Sequence, residues 1–225
     1  MKQVAPQIYT FTGLMAGRVY ALQDEDGLTL IDASIIGADK KILAQLSKAG
    51  HAATDVKRII ITHAHPDHVG GLPKLQAATQ AEVYCHPLEK PVIQGEITVP
   101  TRPSGIRPPN IHVKPTPVHH TITDGDTLPV LGGLQVVDTP GHSPGHISFW
   151  QAQRRLLIVG DVLFHLFNRI TFPLGALTVN DSDNKESVKT LLKLQPDTML
   201  FGHGQPIVGG ANAKLEAFAK RKHLA

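Results

Sequence analysis

The sequence predicts an α+β fold in which helix layers lie outside a pair of packed β-sheets. Short apolar segments bounded by Gly, Pro or Asp recur along the chain and predict buried strands. Segments with apolar residues at helical spacing alternate with these strands, and the two halves of the chain share this plan. The length of 225 residues and the hydrophobic content of 41% suit one globular domain, which we predict to span residues 1–225.

The first half combines five strands with two helices. Asp24 to Gly27 predicts a hairpin turn, because acidic residues and a glycine separate two strand-like segments. The helix that begins near Asp39 carries its apolar residues at helical spacing and ends before Gly50. The predicted elements are strands at 7–11, 18–22, 28–32, 58–62 and 82–85, and helices at 39–48 and 72–79.

A proline-rich insert at about 95–121 precedes the second half. Its prolines exclude a helix or a central strand, which leaves a substrate-shaping lid or a surface excursion. Arg102 and Arg107 within it either meet an anionic substrate or remain solvated charges. The elements predicted after the insert are strands near Leu134, Ile147, Leu157 and Met199, and helices at about 184–194 and 213–220.

The densest group of metal-ligand residues is His63-Ala64-His65-Pro66-Asp67-His68, directly after the apolar segment 58–62. In an extended loop, residues two apart point the same way, so His63 and His65 can aim both imidazoles at one point. Pro66 ends the extended piece, and Asp67 and His68 then turn away near a helix start. Imidazole and carboxylate bind Zn and similar divalent metals, so this loop predicts a metal site.

Three later strand ends each deliver one more ligand. His142 follows the strand-like segment 134–138, Asp161 follows the apolar segment 156–160, and His203 follows the segment 198–201. A glycine stands next to each of these residues and allows a close approach of backbone in a crowded site. Four strand ends that each supply a metal ligand indicate one centre rather than scattered surface residues.

The pattern His-x-His-x-Asp-His, then Gly-His, Gly-Asp and Gly-His, resembles the binuclear branch of the metallo-β-lactamase-fold hydrolases. The resemblance runs from about Ile31 to His203, in the expected order. The segments Thr-Pro-Gly-His-Ser-Pro-Gly-His at 139–146 and Gly-Asp-Val-Leu-Phe at 160–164 are similar to the glyoxalase II and lactonase group. This resemblance implies the four-layer αββα sandwich of that superfamily.

The resemblance also implies two metal sites with a shared ligand. In the family pattern, one ion takes three histidines, the other takes an Asp and two His, and an Asp bridges both. On this chain the first set is His63, His65 and His142; the second is Asp67, His68 and His203; and the bridge is Asp161. We predict two divalent ions, with Zn preferred and Mn or Fe as alternatives. Asp67 has a second predicted role as catalytic proton acceptor.

The predicted activity is that of a metal-dependent hydrolase that cleaves an ester, lactone or thioester through a metal-bridging hydroxide. A mononuclear iron oxygenase or persulfide dioxygenase of the same fold is one alternative, and a phosphoester hydrolase is another. Some lactonases of this fold carry a tyrosine three residues after the bridging aspartate. Phe164 stands at that position here and lacks the hydroxyl.

Two further residues are predicted to support the ligands. Asp32 ends a strand and either hydrogen-bonds a ligand histidine or shapes a buried turn. His146 begins the strand after His142, and we predict a structural or ligand-supporting role for it. Three other histidines lack a ligand pattern and are left out of the site: His86, His119 and His120.

Charge and cysteine content bound the partners and the compartment. The net charge of +3 is spread out, without the clustered basic face that nucleic-acid binding requires. No apolar segment reaches the length of a membrane span, so we predict neither nucleic-acid nor membrane binding. The predicted partner is a small-molecule substrate. Homo-oligomer formation is left open. The single cysteine, Cys85, and a first segment without a secretory signal predict a cytoplasmic protein.

Overall fold

The computed structural model describes residues 1–103, 105 and 111–224. The chain divides into two compact units. Unit 1 contains Met1–Val99, Ile111–Ile122 and Pro129–Leu131. Unit 2 contains Thr123–Leu128, the chain from Gly132 onward and the described residues of the segment Pro100–Asn110. Each unit has a sheet and helices of its own, and the prediction of one domain over 1–225 stays a prediction.

Unit 1 is built on a seven-stranded mixed sheet in which the strands follow one another in chain order. The first four strands pair antiparallel, and the fourth to seventh pair parallel. Parallel neighbours need crossovers, and helices supply them here. The strands are β1 Lys2–Ala5, β2 Ile8–Thr10, β3 Tyr20–Asp24, β4 Gly27–Ile31, β5 Val56–Ile60, β6 Glu82–Cys85 and β7 His120–Thr121.

The helices of unit 1 are α1 Ala38–Lys48, α2 Pro66–Val69, α3 Leu72–Thr79 and α4 Lys90–Ile93. The crossover from β4 to β5 contains α1, and the crossover from β5 to β6 contains α2 and α3. Ile42 and Leu46 of α1 pack with Leu72 and Leu75 of α3 in one buried apolar cluster with β4, β5 and β6. The core of unit 1 therefore holds the carboxyl ends of β4 and β5 in place.

The described part of unit 2 contains eight strands: β8 Thr127–Leu128, β9 Leu134–Asp138, β10 Ile147–Gln151, β11 Leu156–Gly160, β12 Phe164–Leu166, β13 Arg169–Thr171, β14 Thr198–Phe201 and β15 Ile207–Val208. Six of them form a sheet in the order β15-β14-β11-β10-β9-β8, and β12 and β13 form a separate hairpin. In the sheet, β10 runs antiparallel to both neighbours, while β11 and β14 are parallel, so β9, β11 and β14 all run the same way.

Two helices complete unit 2: α5 Asp181–Lys193 and α6 Ala211–Arg221. The sequence predicts α5 to begin near Asn184, which is three residues too late. Asn180 caps the helix, because its side-chain oxygen accepts from the backbone N–H groups of Ser182 and Asp183. Val188 and Leu191 of α5 join the apolar core of this unit. No helix in the described part of the chain is long and apolar enough to cross a bilayer.

The proline-rich insert is partly described. Residues 104 and 106–110, and with them Arg107, lie outside the described residues. Val113 and Val118, near its end, are buried in the core of unit 1. Arg102 pairs with Asp181 and donates to the carbonyl of Gly175 at 2.7 Å. This guanidinium therefore has protein partners within unit 2.

Candidate metal centre

The first group of candidate ligands lies at the carboxyl edge of the unit 1 sheet. The strands β4 and β5 are parallel neighbours, with Ile31 opposite Ile60. Asp32 follows β4 directly, and the segment His63–His68 follows β5 after a two-residue gap. Since the carboxyl ends of parallel strands meet at one edge, the topology brings the carboxylate of Asp32 to the histidine loop.

The histidine loop has the shape that its sequence predicts. His65 is extended, with φ −73° and ψ 150°, and precedes Pro66, the first residue of α2. One ligand atom of His63 lies within 4.8 Å of a ligand atom of His65 and, in a second grouping, of His68. Nε2 of His68 lies 3.8 Å from Oδ2 of Asp67, whose side chain is 30% exposed. The four side chains of the loop are thus close enough to share metal ions.

Asp32 is the hydrogen-bonding centre beneath this loop. Its Oδ2 lies 2.8 Å from Nδ1 of His68, and its oxygens accept from the backbone N–H and the hydroxyl of Thr62. A carboxylate only accepts, so the imidazole proton of His68 is on Nδ1 and the lone pair is on Nε2. The predicted hydrogen bond between Asp32 and a histidine of the loop is present, and the role of His68 as a metal ligand stays a prediction.

The same carboxylate determines the tautomer of His63 through Thr62. The hydroxyl of Thr62 gives its proton to Asp32, at 2.9 Å, and lies 3.0 Å from Nδ1 of His63. That hydroxyl has one proton, so Nδ1 of His63 must donate to it. His63 then carries its lone pair on Nε2, as a metal-ligand histidine does when its other nitrogen is held by an acceptor.

Glu89 is a site residue that the sequence does not reveal. It is buried and lies at the end of the segment between β6 and α4. Its Oε2 accepts from the backbone N–H of Ala64, between the two histidines of the loop, at 2.8 Å. No ligand pattern surrounds Glu89 in the sequence, so only the fold shows that it anchors the loop.

The second group of candidate ligands lies at the carboxyl edge of the unit 2 sheet. His142 follows β9, Asp161 follows β11 and His203 follows β14. These three strands run the same way, so their carboxyl ends share one edge. Asp161 and His142 are almost fully buried, and the side chain of His203 is 23% exposed.

One carboxylate oxygen connects the two histidines of this group. Oδ2 of Asp161 lies 3.5 Å from Nε2 of His142 and 3.3 Å from Nε2 of His203. Two atoms that each lie about 2.1 Å from one tetrahedral ion are separated by about 3.4 Å. Each of these two separations therefore matches that of a pair of atoms on a common ion, so Asp161 could share one ion with His142 and one with His203.

Neighbouring residues orient the rings of His142 and His203. Nδ1 of His142 lies 3.4 Å from the hydroxyl of Thr178, which donates to the carbonyl of Leu174 at 3.2 Å. His142 therefore donates from Nδ1 and keeps its lone pair on Nε2. The ring of Phe164 lies against that of His203, with centroids 4.5 Å apart.

The loop that carries His203 is fixed through its backbone. His165 donates from its backbone N–H to the carbonyl of His203 at 3.0 Å, and its Nδ1 lies 2.7 Å from the carbonyl of Gln205. Gly204 has φ +96°, and a Cβ there would lie 1.8 Å from the carbonyl oxygen of His165. Only glycine allows the two backbones to approach this closely.

The histidines that the sequence analysis leaves out have partners elsewhere in unit 1. Nδ1 of His119 accepts from the backbone N–H of Val83 at 3.0 Å. His120 pairs with Glu82 at 3.2 Å, and Nδ1 of His86 accepts from the backbone N–H of Leu88 at 3.2 Å. None of these three belongs to a metal-ligand group among the described residues.

The candidate ligand atoms fit zinc and similar divalent metals. Nδ1 hydrogen bonds leave the lone pair of His63, His68 and His142 on Nε2, which is the arrangement of a metal-ligand imidazole. The remaining candidate ligands are two further imidazoles and two carboxylates. A set dominated by imidazoles suits Zn and related ions better than Mg or Ca. Asp32 contacts Nδ1 of His68 and His146 contacts the backbone N–H of Asp161, which are the contacts that their predicted supporting roles require.

Comparison with known proteins gives the family. The model of the metallo-beta-lactamase superfamily matches residues 12–203, a range that holds all of the candidate ligands. The chain is 31% identical to YobT of Bacillus subtilis (strain 168), over 98% of this chain and 97% of YobT. It is 33% identical to a hydroxyacylglutathione hydrolase of Methylobacterium nodulans, over 81% of this chain and 60% of that protein.

Solved structures agree in fold. A metallo-beta-lactamase family protein from Thermus thermophilus superposes with a TM-score of 0.73 and 23% identity, over 98% of this chain and 81% of that chain. The subclass B3 metallo-beta-lactamase BJP-1 of Bradyrhizobium japonicum gives a TM-score of 0.71 and 24% identity, over 99% and 93%. These likenesses confirm the predicted α+β fold class. The chain belongs to the metallo-beta-lactamase superfamily.

Proposed function

We propose that this protein is a binuclear metal-dependent hydrolase that cleaves an ester or thioester bond of a small molecule. The observation that carries the proposal is the position of Asp161, whose Oδ2 lies 3.5 Å from Nε2 of His142 and 3.3 Å from Nε2 of His203. A carboxylate close to two ligand histidines is placed to serve two ions, since it has two oxygens and a negative charge to offset them.

The proposed ligand set is that of the family pattern. His63, His65 and His142 would hold one ion, and Asp67, His68 and His203 would hold the other. Asp161 would be the ligand shared by both. The Nδ1 hydrogen bonds of three of these histidines support the assignment, because such bonds orient the ring and fix the tautomer before a metal arrives.

Ions in such a centre polarise the substrate carbonyl and make a water molecule acidic near neutral pH. The protein supplies orientation and proton handling. Asp67 is the most exposed carboxylate of the ligand set, with 30% of its side chain accessible against 3% for Asp161. Asp67 can therefore accept the proton of the attacking water and pass it to solvent.

The choice among bond types rests on Phe164 and on the relatives. Phe164 places an apolar ring against His203, where a tyrosine would bring a hydroxyl. This side chain offers no donor to a substrate carbonyl, and the chain thus lacks the tyrosine hydroxyl that some lactonases of this fold carry. We favour an ester or thioester over a lactone on that resemblance. The names of two relatives, hydroxyacylglutathione hydrolase and the probable metallo-hydrolase YflN of Bacillus subtilis (strain 168), support a hydrolase, and the first supports an acyl substrate.

The test is a substrate panel with the metal-loaded protein. An aryl ester, an acyl thioester, a lactone and an aryl phosphodiester are compared at one pH, with Asp161→Ala and His119→Leu as variants. We expect ester or thioester turnover that is abolished by a chelator and by Asp161→Ala but kept in His119→Leu. Preferred turnover of the phosphodiester, or unchanged turnover in Asp161→Ala, would overturn the proposal. Oxygen consumption without hydrolysis would move the assignment to an iron oxygenase.

A further inference from the structure

The strand that leads to Asp161 ends in a backbone kink. Gly160, the last residue of β11, has φ +57°, and the pairing of β11 with β14 shifts register between Ile158 and Gly160. A register shift interrupts the ladder of hydrogen bonds at that point. The groups on either side of Gly160 are the carbonyl of Val159 and the N–H of Asp161, both buried, and each requires a partner.

Two buried side chains, His146 and Ser148, supply those partners, and a third, Thr139, links them. The backbone N–H of Asp161 donates to Nε2 of His146 at 2.9 Å. Nδ1 of His146 lies 2.8 Å from the hydroxyl of Thr139, and that hydroxyl lies 2.9 Å from the hydroxyl of Ser148. The hydroxyl of Ser148 donates to the carbonyl of Val159 at 3.1 Å. The chain of bonds thus begins and ends on the two sides of the kink.

The direction of every proton in this chain follows from its ends. The N–H of Asp161 is a donor, so Nε2 of His146 carries the lone pair and Nδ1 carries the proton. The carbonyl of Val159 is an acceptor, so the proton of Ser148 is used there. Thr139 then gives its own proton to Ser148, at 2.9 Å, in preference to the carbonyl of His146, at 3.5 Å. Thr139 then accepts from Nδ1 of His146. One tautomer of His146 satisfies all four contacts.

We infer that His146 is a positioning residue that aims the carboxylate of Asp161 by holding its backbone N–H. His146 does not touch the ligand atoms of Asp161 in this network; it acts on the main chain one residue after a glycine. Without this acceptor, the peptide between Gly160 and Asp161 would be held only on its carbonyl side, where Gly160 accepts from the N–H of Gly202 at 2.9 Å, and glycine adds little steric restriction there. The effect of this orientation on metal binding rests on the proposed function. The tautomer of His146 and its hydrogen bond to the backbone of Asp161 do not.

The first arm of the test measures the tautomer directly. Long-range ¹H–¹⁵N correlation spectra of the ¹⁵N-labelled full chain are recorded without metal and with Zn, and the signals of His146 are assigned by comparison with His146→Gln. We expect the ring to carry a proton on Nδ1 and a lone pair on Nε2 in both states. A ring with its proton on Nε2 would overturn the inference, because Nε2 could then not accept from Asp161.

The second arm measures metal affinity in matched variants. His146→Gln can present a side-chain oxygen to the N–H of Asp161, whereas His146→Leu cannot. His119→Leu is the control, since it also removes a ring nitrogen that accepts a backbone N–H, at 3.0 Å, but in unit 1. Affinity for Zn or Co is measured with a competing chelator, together with the visible absorption spectrum of the Co form.

We expect His146→Leu to lose about 10- to 100-fold in affinity and to change the Co spectrum. His146→Gln should recover most of the affinity, and His119→Leu should match the parent protein. Equal affinity and an unchanged spectrum in His146→Leu would overturn the inference. If His146→Leu does not fold, the tautomer measurement on the parent chain decides. Loss of hydrolysis of every substrate, with these results intact, would count against the proposed function alone.

Discussion

Oδ2 of Asp32 lies 2.8 Å from Nδ1 of His68, and this pair organises the ligand loop of unit 1. The same carboxylate accepts from the N–H and the hydroxyl of Thr62, and Thr62 in turn accepts from His63. Asp32 adopts φ +64°, a left-handed conformation that Asp and Asn tolerate better than most residues. One buried carboxylate therefore orients two candidate ligands at the end of β4.

Asp32→Asn tests this arrangement. Asn keeps the shape and tolerates the left-handed backbone, but it loses the charge and turns one acceptor into a donor. We expect zinc affinity to fall about 10- to 100-fold, because Asp32 orients His68 directly and His63 through Thr62, and one of its two acceptor oxygens is lost. The free energy of unfolding should fall by about 1–3 kcal/mol as a buried donor is left unpaired. Chelator competition and denaturant unfolding measure the two effects, and unchanged zinc affinity would contradict this role.

Glu89 provides a second test on the same loop. Its Oε2 accepts from the N–H of Ala64, so Glu89→Ala should leave that buried donor without its partner. We expect Glu89→Ala to lower zinc affinity severalfold and the unfolding free energy by about 1–3 kcal/mol. Glu89→Gln keeps an oxygen at this position and should lie closer to the parent protein. If Gln and Ala variants behave alike, the loss comes from the charge or the packing of Glu89 rather than from this hydrogen bond.

The buried thiol of Cys85 should make the free energy of unfolding depend on pH. Burial, with the nearby charge of Glu89, raises the pKa of the Cys85 thiol from 9.0 to about 12. In the unfolded chain the thiol ionises at the lower pKa, so its contribution to stability is present below about pH 9 and is lost as the pH rises towards 12. Each pH unit in that window should cost up to about 1.4 kcal/mol relative to Cys85→Ala.

The measurement for Cys85 is denaturant unfolding of the parent protein and Cys85→Ala at several pH values between 8 and about 11. A constant difference in unfolding free energy over this range would contradict the raised pKa. In the native state the thiol should also react slowly with a disulfide reagent at pH 8, since the thiolate is the nucleophile and the residue is fully buried.

Phe164→Tyr tests the basis for the preferred bond type. The ring of Phe164 lies 4.5 Å from that of His203, so the added hydroxyl would lie near the candidate ligands. A donor to the carbonyl oxygen is worth about 1 kcal/mol, and we expect kcat/KM for a lactone to rise several fold. Ester hydrolysis should change less. Lactone turnover that is already dominant in the parent protein would contradict the preference for esters and thioesters.

The elements with strong periodicity could be predicted from the sequence. The helix 72–79 and the strand 82–85 occur with the predicted bounds. The strands β7, β8 and β15 contain only two residues each, and a segment that short has no periodic pattern to detect. The start of α5 is predicted three residues too far along the chain, because its first turn is polar and only the cap at Asn180 marks the start.

Within the candidate site, the residues with a recognisable spacing could be predicted and those without one could not. Asp32 and His146 were predicted because each ends or begins a strand next to a ligand segment. Glu89 and Thr178 have no such spacing, because each reaches the site from a distant part of the chain. Such contacts depend on how the chain folds back, and no local pattern records them. The complete set of metal ligands stays a prediction.

The metal content of the purified full chain tests whether Asp161 bridges a binuclear centre. Elemental analysis is made after expression without added metal, on the parent protein and on Asp161→Ala, with protein concentration determined by amino-acid analysis. We predict two divalent ions per parent chain, with Zn preferred, and a reduced content in Asp161→Ala. One iron per chain, or the same content in both proteins, would contradict a binuclear centre bridged by Asp161.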